Sequence, residues 1–335
     1  MNNLKLIISF FWIISIFSNL EAKTVVISEI PKIEEGVVLT KTIRNLSEID
    51  FFWPGPITII HGNIYLMDVD LQRVIKLSLN GLVTGRFGRK GQGPKELLGL
   101  SGVSQFGDDI AITGSNKVII CSKELQFIKE VKLKKRFHNL ILGANSKIYF
   151  YNNYSWSNYY FTKYTKHFKR LGKFAVKKPG AKEIDDSRIN FNNYKHSWDC
   201  VRRVLYVPKE NGIWVSFKNR YDLRYYRNEK VAVEIKAKSK SFSKSDDVFS
   251  GVKVKAYSDY SLAIGKDGNL LYYCTKQDDG FYCDVFDLSD KYRLKRRIKF
   301  PHSYSRMAYS HGATFYGLRY SADEEDILLD KIQIK

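Results

Sequence analysis

Apolar and polar residues alternate over short distances along most of this chain, and the alternation predicts strands. Runs of β-branched and aromatic residues are separated by turns rich in Gly, Asn, Asp and Lys. Windows with apolar residues at three- and four-residue spacing are scarce, as are the capping residues that would begin a helix. The pattern therefore predicts an all-β fold.

A turn that contains or adjoins glycine leads into a strand at six places, which indicates a structural repeat. The six strands contain the equivalent positions Ile64, Ile110, Ile148, Ile213, Leu270 and Thr314. From 64 to 314 these positions are separated by five intervals with a mean of 50 residues. That length suits four short antiparallel strands, the content of one propeller blade.

The last repeat is one strand short, and the N-terminal part of the chain holds a spare strand. Residues 306–309, 313–320 and 326–334 supply three strands before the chain ends, whereas residues 37–43 (VVLTKTI) precede the first complete repeat. A closed ring accounts for this mismatch because it pairs the edges that an open stack would leave exposed. We therefore predict a six-bladed β-propeller, closed by an N-terminal strand that completes the last blade.

The chain begins with the pattern of an export signal. Residues 1–5 are positively charged, residues 6–17 (LIISFFWIISIF) are almost wholly apolar, and Ala22 provides a small residue for cleavage. An uncleaved anchor is the alternative, since position −3 would be Leu20. No later run is apolar enough to cross a bilayer. We predict a signal peptide over 1–22 and a secreted or periplasmic propeller domain over 23–335.

One interval of the repeat is unusually long. Between the third and fourth repeats, residues 177–199 are polar and show no strand pattern. Loops carried by a rigid scaffold often hold functional residues. We predict an exposed insertion there.

The segment 67–98 carries the most specific motif of the chain. The motif residues are Asp68, Arg73, Gly81, Phe87, Gly88, Gly91, Gly93 and Pro94. They resemble the NHL-type repeat and related six-bladed propellers of bacterial secreted proteins, although Leu77 replaces the usual aromatic residue. The resemblance implies a propeller fold and a ligand-binding or protein-binding role, but no particular chemistry.

Four cations flank the glycine-rich loop of this motif and are candidate binding residues: Arg86, Arg89, Lys90 and Lys95. The glycines permit positive φ where the chain passes from one blade to the next. A loop that cradles phosphate is the alternative reading of the same glycines. That reading requires a helix after Pro94, and the sequence predicts none.

The formal net charge of +20 favours polyanionic partners. Export makes nucleic acid the least natural of them and leaves anionic glycans or lipid headgroups. Residues 147–182 interleave aromatic side chains with Lys and Arg, an arrangement that suits sugars and polyanions. The alternative is a generally basic composition with aromatic residues packed between blades.

Catalytic and metal-binding patterns are weak. No nucleophile-elbow pattern occurs, and the six histidines lie in unrelated contexts apart from His61 and His311, which precede equivalent strands. Some propellers that this chain resembles hold a metal in the central channel with acidic and amide side chains. Asp68, Asp70 and Asp199 are available carboxylates, but no spacing singles them out. We predict no cofactor, with calcium or zinc in the channel as the alternative.

Cys274 and Cys283 flank a hairpin turn (TKQDDGFY) and are a candidate disulfide. If the turn is centred between Asp278 and Asp279, the two sulfurs face each other, and an oxidising compartment would join them. If Asp279 and Gly280 form the turn, the pair is offset and a bridge becomes difficult. Cys121 and Cys200 fall in different repeats and are expected to be separate.

The sequence thus favours an exported, non-catalytic binding module for an unidentified ligand or protein partner, without deciding its catalytic status. Two alternatives remain. One is a metal-dependent lactonase-like hydrolase or lyase that uses the central channel. The other is an electrostatic binder of anionic glycan or lipid.

Overall fold

A computed structural model of the chain describes residues 22–27, 30–51, 54–133, 139–142, 147–151, 159–176, 201–217, 221–237, 244–249, 252–257, 260–277 and 280–335. These residues form 28 strands, numbered here along the chain, and no α-helix. The predicted all-β class is confirmed.

Six antiparallel sheets of four strands form the blades. The first blade contains β4 (Pro54–Ile60), β5 (Asn63–Asp68), β6 (Arg73–Ser78) and β7 (Val83–Phe87). The second contains β8 (Gly102–Phe106), β9 (Asp109–Thr113), β10 (Lys117–Cys121) and β11 (Phe127–Lys132). The third contains β12 (Asn139–Leu142), β13 (Ile148–Tyr151), β14 (Tyr159–Tyr164) and β15 (Arg170–Val176).

The fourth blade contains β16 (Val201–Val207), β17 (Gly212–Phe217), β18 (Asp222–Arg227) and β19 (Lys230–Ala237). The fifth contains β22 (Tyr260–Asp267), β23 (Leu270–Gln277), β24 (Gly280–Asp287) and β25 (Arg293–Lys299). The sixth contains β26 (Arg306–Tyr309), β27 (Thr314–Tyr320), β28 (Ile327–Ile334) and β3 (Val38–Asn45). Each of the six positions that defined the repeat lies in the second strand of its blade, so the predicted six-blade arrangement is confirmed.

The N-terminal strand β3 closes the ring by pairing with the C-terminal strand β28, as predicted. The pairing is antiparallel and extends from Val38 opposite Ile334 to Asn45 opposite Leu328. The buried carboxylate of Asp330 reinforces it, because Asp330 Oδ1 accepts a hydrogen bond from Thr42 Oγ1 at 2.7 Å. The edge strand that the last repeat lacks is therefore supplied from the other end of the chain.

The hydrophobic core is divided among the six junctions between blades. One buried cluster lies at each junction, and the cluster between the sixth and first blades joins Tyr316 and Leu318 to Ile57 and Ile64. An open stack of six blades would have only five such junctions. The sixth cluster shows that burial of apolar surface, as well as strand pairing, holds the ring closed.

Two further N-terminal strands, which the sequence reasoning missed, lie on the outside of the ring. Strand β1 (Lys23–Ile27) pairs in parallel with β19, and β2 (Ile33–Glu34) pairs in parallel with β25. Together β1 and β2 are called the strap. The Glu34 carboxylate binds the Arg296 guanidinium through both oxygens, with contacts between 2.6 and 3.0 Å.

A turn motif repeats between the third and fourth strands of the first three blades. In each case a side-chain hydroxyl oxygen accepts hydrogen bonds from the backbone N–H groups two and four residues further along the chain. The residue three positions further along has positive φ. The hydroxyls belong to Ser78, Ser122 and Thr165. The blades thus share a local device, although only the first has a glycine at the positive-φ position, Gly81.

An additional hairpin of β20 (Lys244–Phe249) and β21 (Val252–Tyr257) occurs between the fourth and fifth blades and was not predicted. The predicted signal peptide, apart from Ala22, and the predicted insertion over 177–199 lie outside the described residues. Within the part of the chain that is described, no helix is long and apolar enough to cross a membrane.

Candidate functional site

The first strands of the six blades surround a central channel with a volume of about 450 Å³. This volume lies within the range of ordinary small-molecule pockets, roughly 300–1,000 Å³. Each of the six strands contributes an apolar side chain to the wall: Ile59, Val103, Ile141, Val204, Ile264 and Met307. Polar and apolar groups contribute about equally to the exposed surface of the channel.

Polar side chains also line the channel. Hydroxyl and amide groups come from Thr58, Ser101, Ser104, Gln105, Tyr206 and Tyr309. Two of these groups also hold the scaffold, since Tyr309 Oη donates to Lys266 O at 2.8 Å and Ser101 Oγ donates to Thr113 O at 3.1 Å. The channel therefore combines apolar side chains from all six blades with a comparable area of polar surface.

Arg203 is the one charged side chain among the described residues that line the channel. It lies on β16, and its Nε donates to the carbonyl oxygen of Leu262 on β22 at 2.6 Å. This bond fixes the guanidinium across the junction between the fourth and fifth blades. The sequence reasoning missed Arg203, although two consecutive arginines inside an otherwise apolar strand (VRRVLYV) were a visible signal.

Of the carboxylates considered as metal ligands, Asp68 and Asp70 do not line the channel. Asp68 is buried at the end of β5, where Oδ1 accepts from Leu71 N at 3.2 Å and Oδ2 lies 3.2 Å from Arg73 Nε. It ties a turn, and Asp199 lies outside the described residues. Across the residues that the structure describes, no group of three His, Cys, Asp or Glu side chains is arranged to hold a metal.

Of the four predicted binding cations, one lies near the end of β7 and three lie on the connection between the first and second blades. Arg86, Arg89, Lys90 and Lys95 are all exposed. Arg89 forms an ion pair with Glu96, at 2.9 Å between Nη2 and Oε1. Lys95 Nζ lies 5.3 Å from the centroid of the Phe127 ring. The structure thus places three of the four residues on one loop and the fourth on the strand that precedes it, and it shows that one of them already has an anionic partner.

The carboxylate of Glu96 fills the glycine-rich loop from within. Glu96 Oε2 accepts a hydrogen bond from Gly93 N at 2.8 Å, and a Cβ on Gly91 would lie only 2.1 Å from the same oxygen. The bond from the Gly93 backbone, together with Arg89, lowers the pKa of the Glu96 carboxyl. The glycines therefore leave space for the loop's own anion, a role that the sequence reasoning did not foresee.

Cys274 and Cys283 are directly opposite each other on β23 and β24. The register places Gln277 opposite Gly280, so the turn is centred between residues 278 and 279, which was the first of the two predicted arrangements. Both residues are buried thiols in the structure, and burial raises the pKa of Cys274. The facing arrangement is established, and the disulfide itself stays a prediction.

Comparisons with known proteins support the fold. No protein-family model and no curated protein matches the chain, so the NHL-type resemblance rests on the motif residues alone. A solved structure from Bacteroides fragilis, described as an exported protein, is 12% identical with a TM-score of 0.63, over 94% of this chain and all of its own.

Two other solved structures are similar over almost their full length. A member of the duf4221 family from Bacteroides vulgatus is 13% identical with a TM-score of 0.57, covering 89% of this chain and 97% of its own. The structure of U3-55K is 10% identical with a TM-score of 0.54, covering 88% and 98%. At these identities the similarity concerns the propeller fold alone.

Proposed function

We propose that this protein is an exported, non-catalytic binding module whose ligand enters the central channel. The observation that carries the proposal is the channel itself, a cavity of about 450 Å³ lined by apolar side chains from all six blades, by polar groups and by one fixed guanidinium. An apolar cavity with a few oriented polar groups is the usual form of a small-molecule site. The ring of six first strands makes this cavity rigid and preformed, which reduces the cost of ordering the site on binding.

The chemistry of the wall indicates the class of ligand. Apolar side chains from all six blades favour a ligand with an apolar body, and the Arg203 guanidinium favours a carboxylate at one end. Arginine binds carboxylates in a planar, charge-assisted geometry, and such bonds are strong where water is partly excluded. The ligand is therefore a small organic acid or a carboxylate-bearing side chain of a partner.

Two observations support export. The pattern of residues 1–22 is that of a signal peptide, and the first strand of the fold, Lys23–Ile27, begins directly after it. Cleavage after Ala22 would leave the strap whole. The similar structure from Bacteroides fragilis is also described as an exported protein.

Binding of octanoate, with octanamide and 1-octanol as uncharged controls, tests the proposal by calorimetry. We expect octanoate to bind and Arg203→Gln to weaken binding by about tenfold or more, since a charge-assisted hydrogen bond contributes roughly 1.5–3 kcal/mol. Arg86→Gln, which removes an exposed arginine from β7 outside the channel, is the matched control. It should bind octanoate as the wild type does. Equal affinity for octanoate and octanamide, or an undiminished affinity in Arg203→Gln, would contradict the proposal.

A second candidate function follows from the exposed cations that flank the glycine-rich loop. Arg86 on β7 and Lys90 and Lys95 on the connection that follows it are exposed, and no described carboxylate forms an ion pair with them. This arrangement favours contact with an anionic glycan or lipid surface. Heparin retention that falls steeply with salt and is reduced by Arg86→Gln, but not by Arg203→Gln, would favour this function over the channel.

A further inference from the structure

A second, smaller cavity of about 130 Å³ lies between the fourth and fifth blades and shares no lining residue with the channel. Its described wall includes Glu210, Trp214, Tyr225, Lys266 and Tyr292. The cavity therefore combines three aromatic rings with one carboxylate and one ammonium group. Its volume leaves room for roughly ten water-sized groups.

The local backbone explains how the carboxylate comes to lie there. A single turn of 3-10 helix, Pro208–Glu210, ends in Asn211 at φ 45°, and Gly212 then begins β17. A Cβ on Gly212 would lie 2.0 Å from Tyr225 Oη, so glycine at this position lets the Tyr225 ring cross the strand. Tyr225 Oη then donates to Glu210 Oε2 at 2.7 Å.

The indole ring of Trp214 lines the same cavity. Trp214 is 1% exposed, and its Nε1–H has no acceptor among the described residues. Its ring packs on Tyr225, with centroids 5.0 Å apart, and lies 6.4 Å from the Tyr292 ring. These three rings form one continuous aromatic wall.

Several cations lie near the carboxylate of this cavity. Lys266 Nζ lies 2.9 Å from Glu210 Oε1, and Lys23 Nζ of the strap lies 5.0 Å from the centroid of the Tyr292 ring. Arg227 acts electrostatically on both Glu210 and Tyr292. Burial raises the pKa of Glu210, but hydrogen bonds from Lys266 and Tyr225 outweigh it, and the net shift is downward. The carboxylate is thus ionised at neutral pH and paired with the Lys266 ammonium group.

We propose that this cavity binds an acidic monosaccharide unit, a hexuronate. Vicinal hydroxyls of the sugar donate to the ionised Glu210. The sugar carboxylate lies towards Lys266 and Arg227, and one face of the ring packs against the aromatic wall. Aromatic rings beside carboxylate and cationic groups supply both the apolar and the polar contacts that a pyranose needs. This site does not depend on the channel being a ligand site.

The indole resonance of Trp214 reports directly on the site. In nitrogen-15 spectra of the chain without its first 22 residues, this resonance is assigned by its loss in Trp214→Phe. We expect D-glucuronate and D-galacturonate to shift it saturably, and D-glucose to shift it far less at the same concentration. This measurement uses the wild-type protein, so it does not depend on how well a variant folds.

Two glutamate variants then test the role of the carboxylate. Glu210→Gln should weaken uronate binding by about tenfold or more. Glu229→Gln is the matched control, because Glu229 accepts a hydrogen bond from Lys163 Nζ at 2.6 Å beside a similar cavity between the third and fourth blades. This substitution should leave uronate binding unchanged. The proposal is overturned if uronates leave the Trp214 resonance unmoved, if D-glucose moves it equally, or if Glu210→Gln binds as well as the wild type.

Discussion

The buried ion pair of the fifth blade offers a demanding test of how the sheets are stabilised. Asp284 and Arg297 are opposite each other on β24 and β25, with Oδ1 and Nε 3.2 Å apart and side chains that are 1% and 4% exposed. Tyr221 of the fourth blade donates its hydroxyl to Asp284 Oδ2 at 2.7 Å. Arg297→Met leaves the carboxylate buried with that hydroxyl but without its cation.

Arg297→Met should lower the free energy of unfolding strongly, because an uncompensated charge remains in the core. Breaking a buried pair by removing one partner costs about 3–5 kcal/mol. For a chain of roughly 300 residues that unfolds as one unit, this corresponds to a fall of about 5–10 °C in Tm. The double variant Asp284→Leu with Arg297→Met removes both charges and should recover most of the loss, since apolar replacements of similar volume are often neutral.

The dependence on pH provides an internal check. Burial raises the pKa of Asp284, so the folded Arg297→Met protein can relieve the buried charge by taking up a proton. A carboxyl whose folded pKa exceeds its unfolded pKa stabilises the fold most at low pH, and this stability is lost as the pH rises through the folded pKa. The deficit of Arg297→Met relative to the wild type should therefore be smaller in mildly acidic buffer than at neutral pH.

Urea unfolding followed by tryptophan fluorescence measures these differences, with Arg293→Met as the control for an exposed arginine on the same strand. A loss below about 1 kcal/mol in Arg297→Met would place the pair in the class of surface ion pairs and refute the reasoning. A double variant as unstable as the sum of the two single variants would refute it equally.

Three shorter predictions concern other parts of the ring. The hydrogen bond from Arg296 lowers the pKa of the Glu34 carboxyl. The difference in unfolding free energy between wild type and Glu34→Gln should therefore be full at neutral pH and vanish as the pH falls through the folded pKa of Glu34. A difference that persists in acid would contradict this. Protein exported to an oxidising compartment should contain the Cys274–Cys283 disulfide in peptide maps, and alkylation of both thiols without reductant would show otherwise. Glu96→Gln should speed tryptic cleavage of the glycine-rich loop several-fold, whereas the exposed Glu124→Gln should not; equal cleavage rates would exclude the role given to Glu96.

The features that the sequence predicted well are those with a local signal. Turns that contain glycine mark the second strand of each blade, and β-branched runs mark the strands around them. Closure also followed from a count, because residues 306–334 supply only three strands and residues 37–43 supply one more. The relation between Cys274 and Cys283 depended on a choice between two turn positions, which only the observed register decided.

The features that were missed depend on contacts with distant parts of the chain. Strand β1 forms against β19, more than 200 residues away, and has no hairpin partner or turn to announce it. Glu96 was overlooked because one acid among four cations looks like surface charge until the loop folds around it. The cavity between the fourth and fifth blades joins Glu210 and Lys266, which belong to different repeats, so no single repeat could reveal it.

The account depends most on the pairing of β3 with β28, and a designed cross-link tests that pairing directly. Lys41 and Lys331 are opposite each other on these strands, and both are exposed. The double variant Lys41→Cys with Lys331→Cys should form an intramolecular disulfide under mild oxidation while the protein stays monomeric. The control is Lys41→Cys with Lys132→Cys, which carries its second cysteine on the second blade and should form no such disulfide. A Lys41–Lys331 pair that fails to cross-link, or that cross-links only between molecules, would contradict a ring closed by the two ends of the chain.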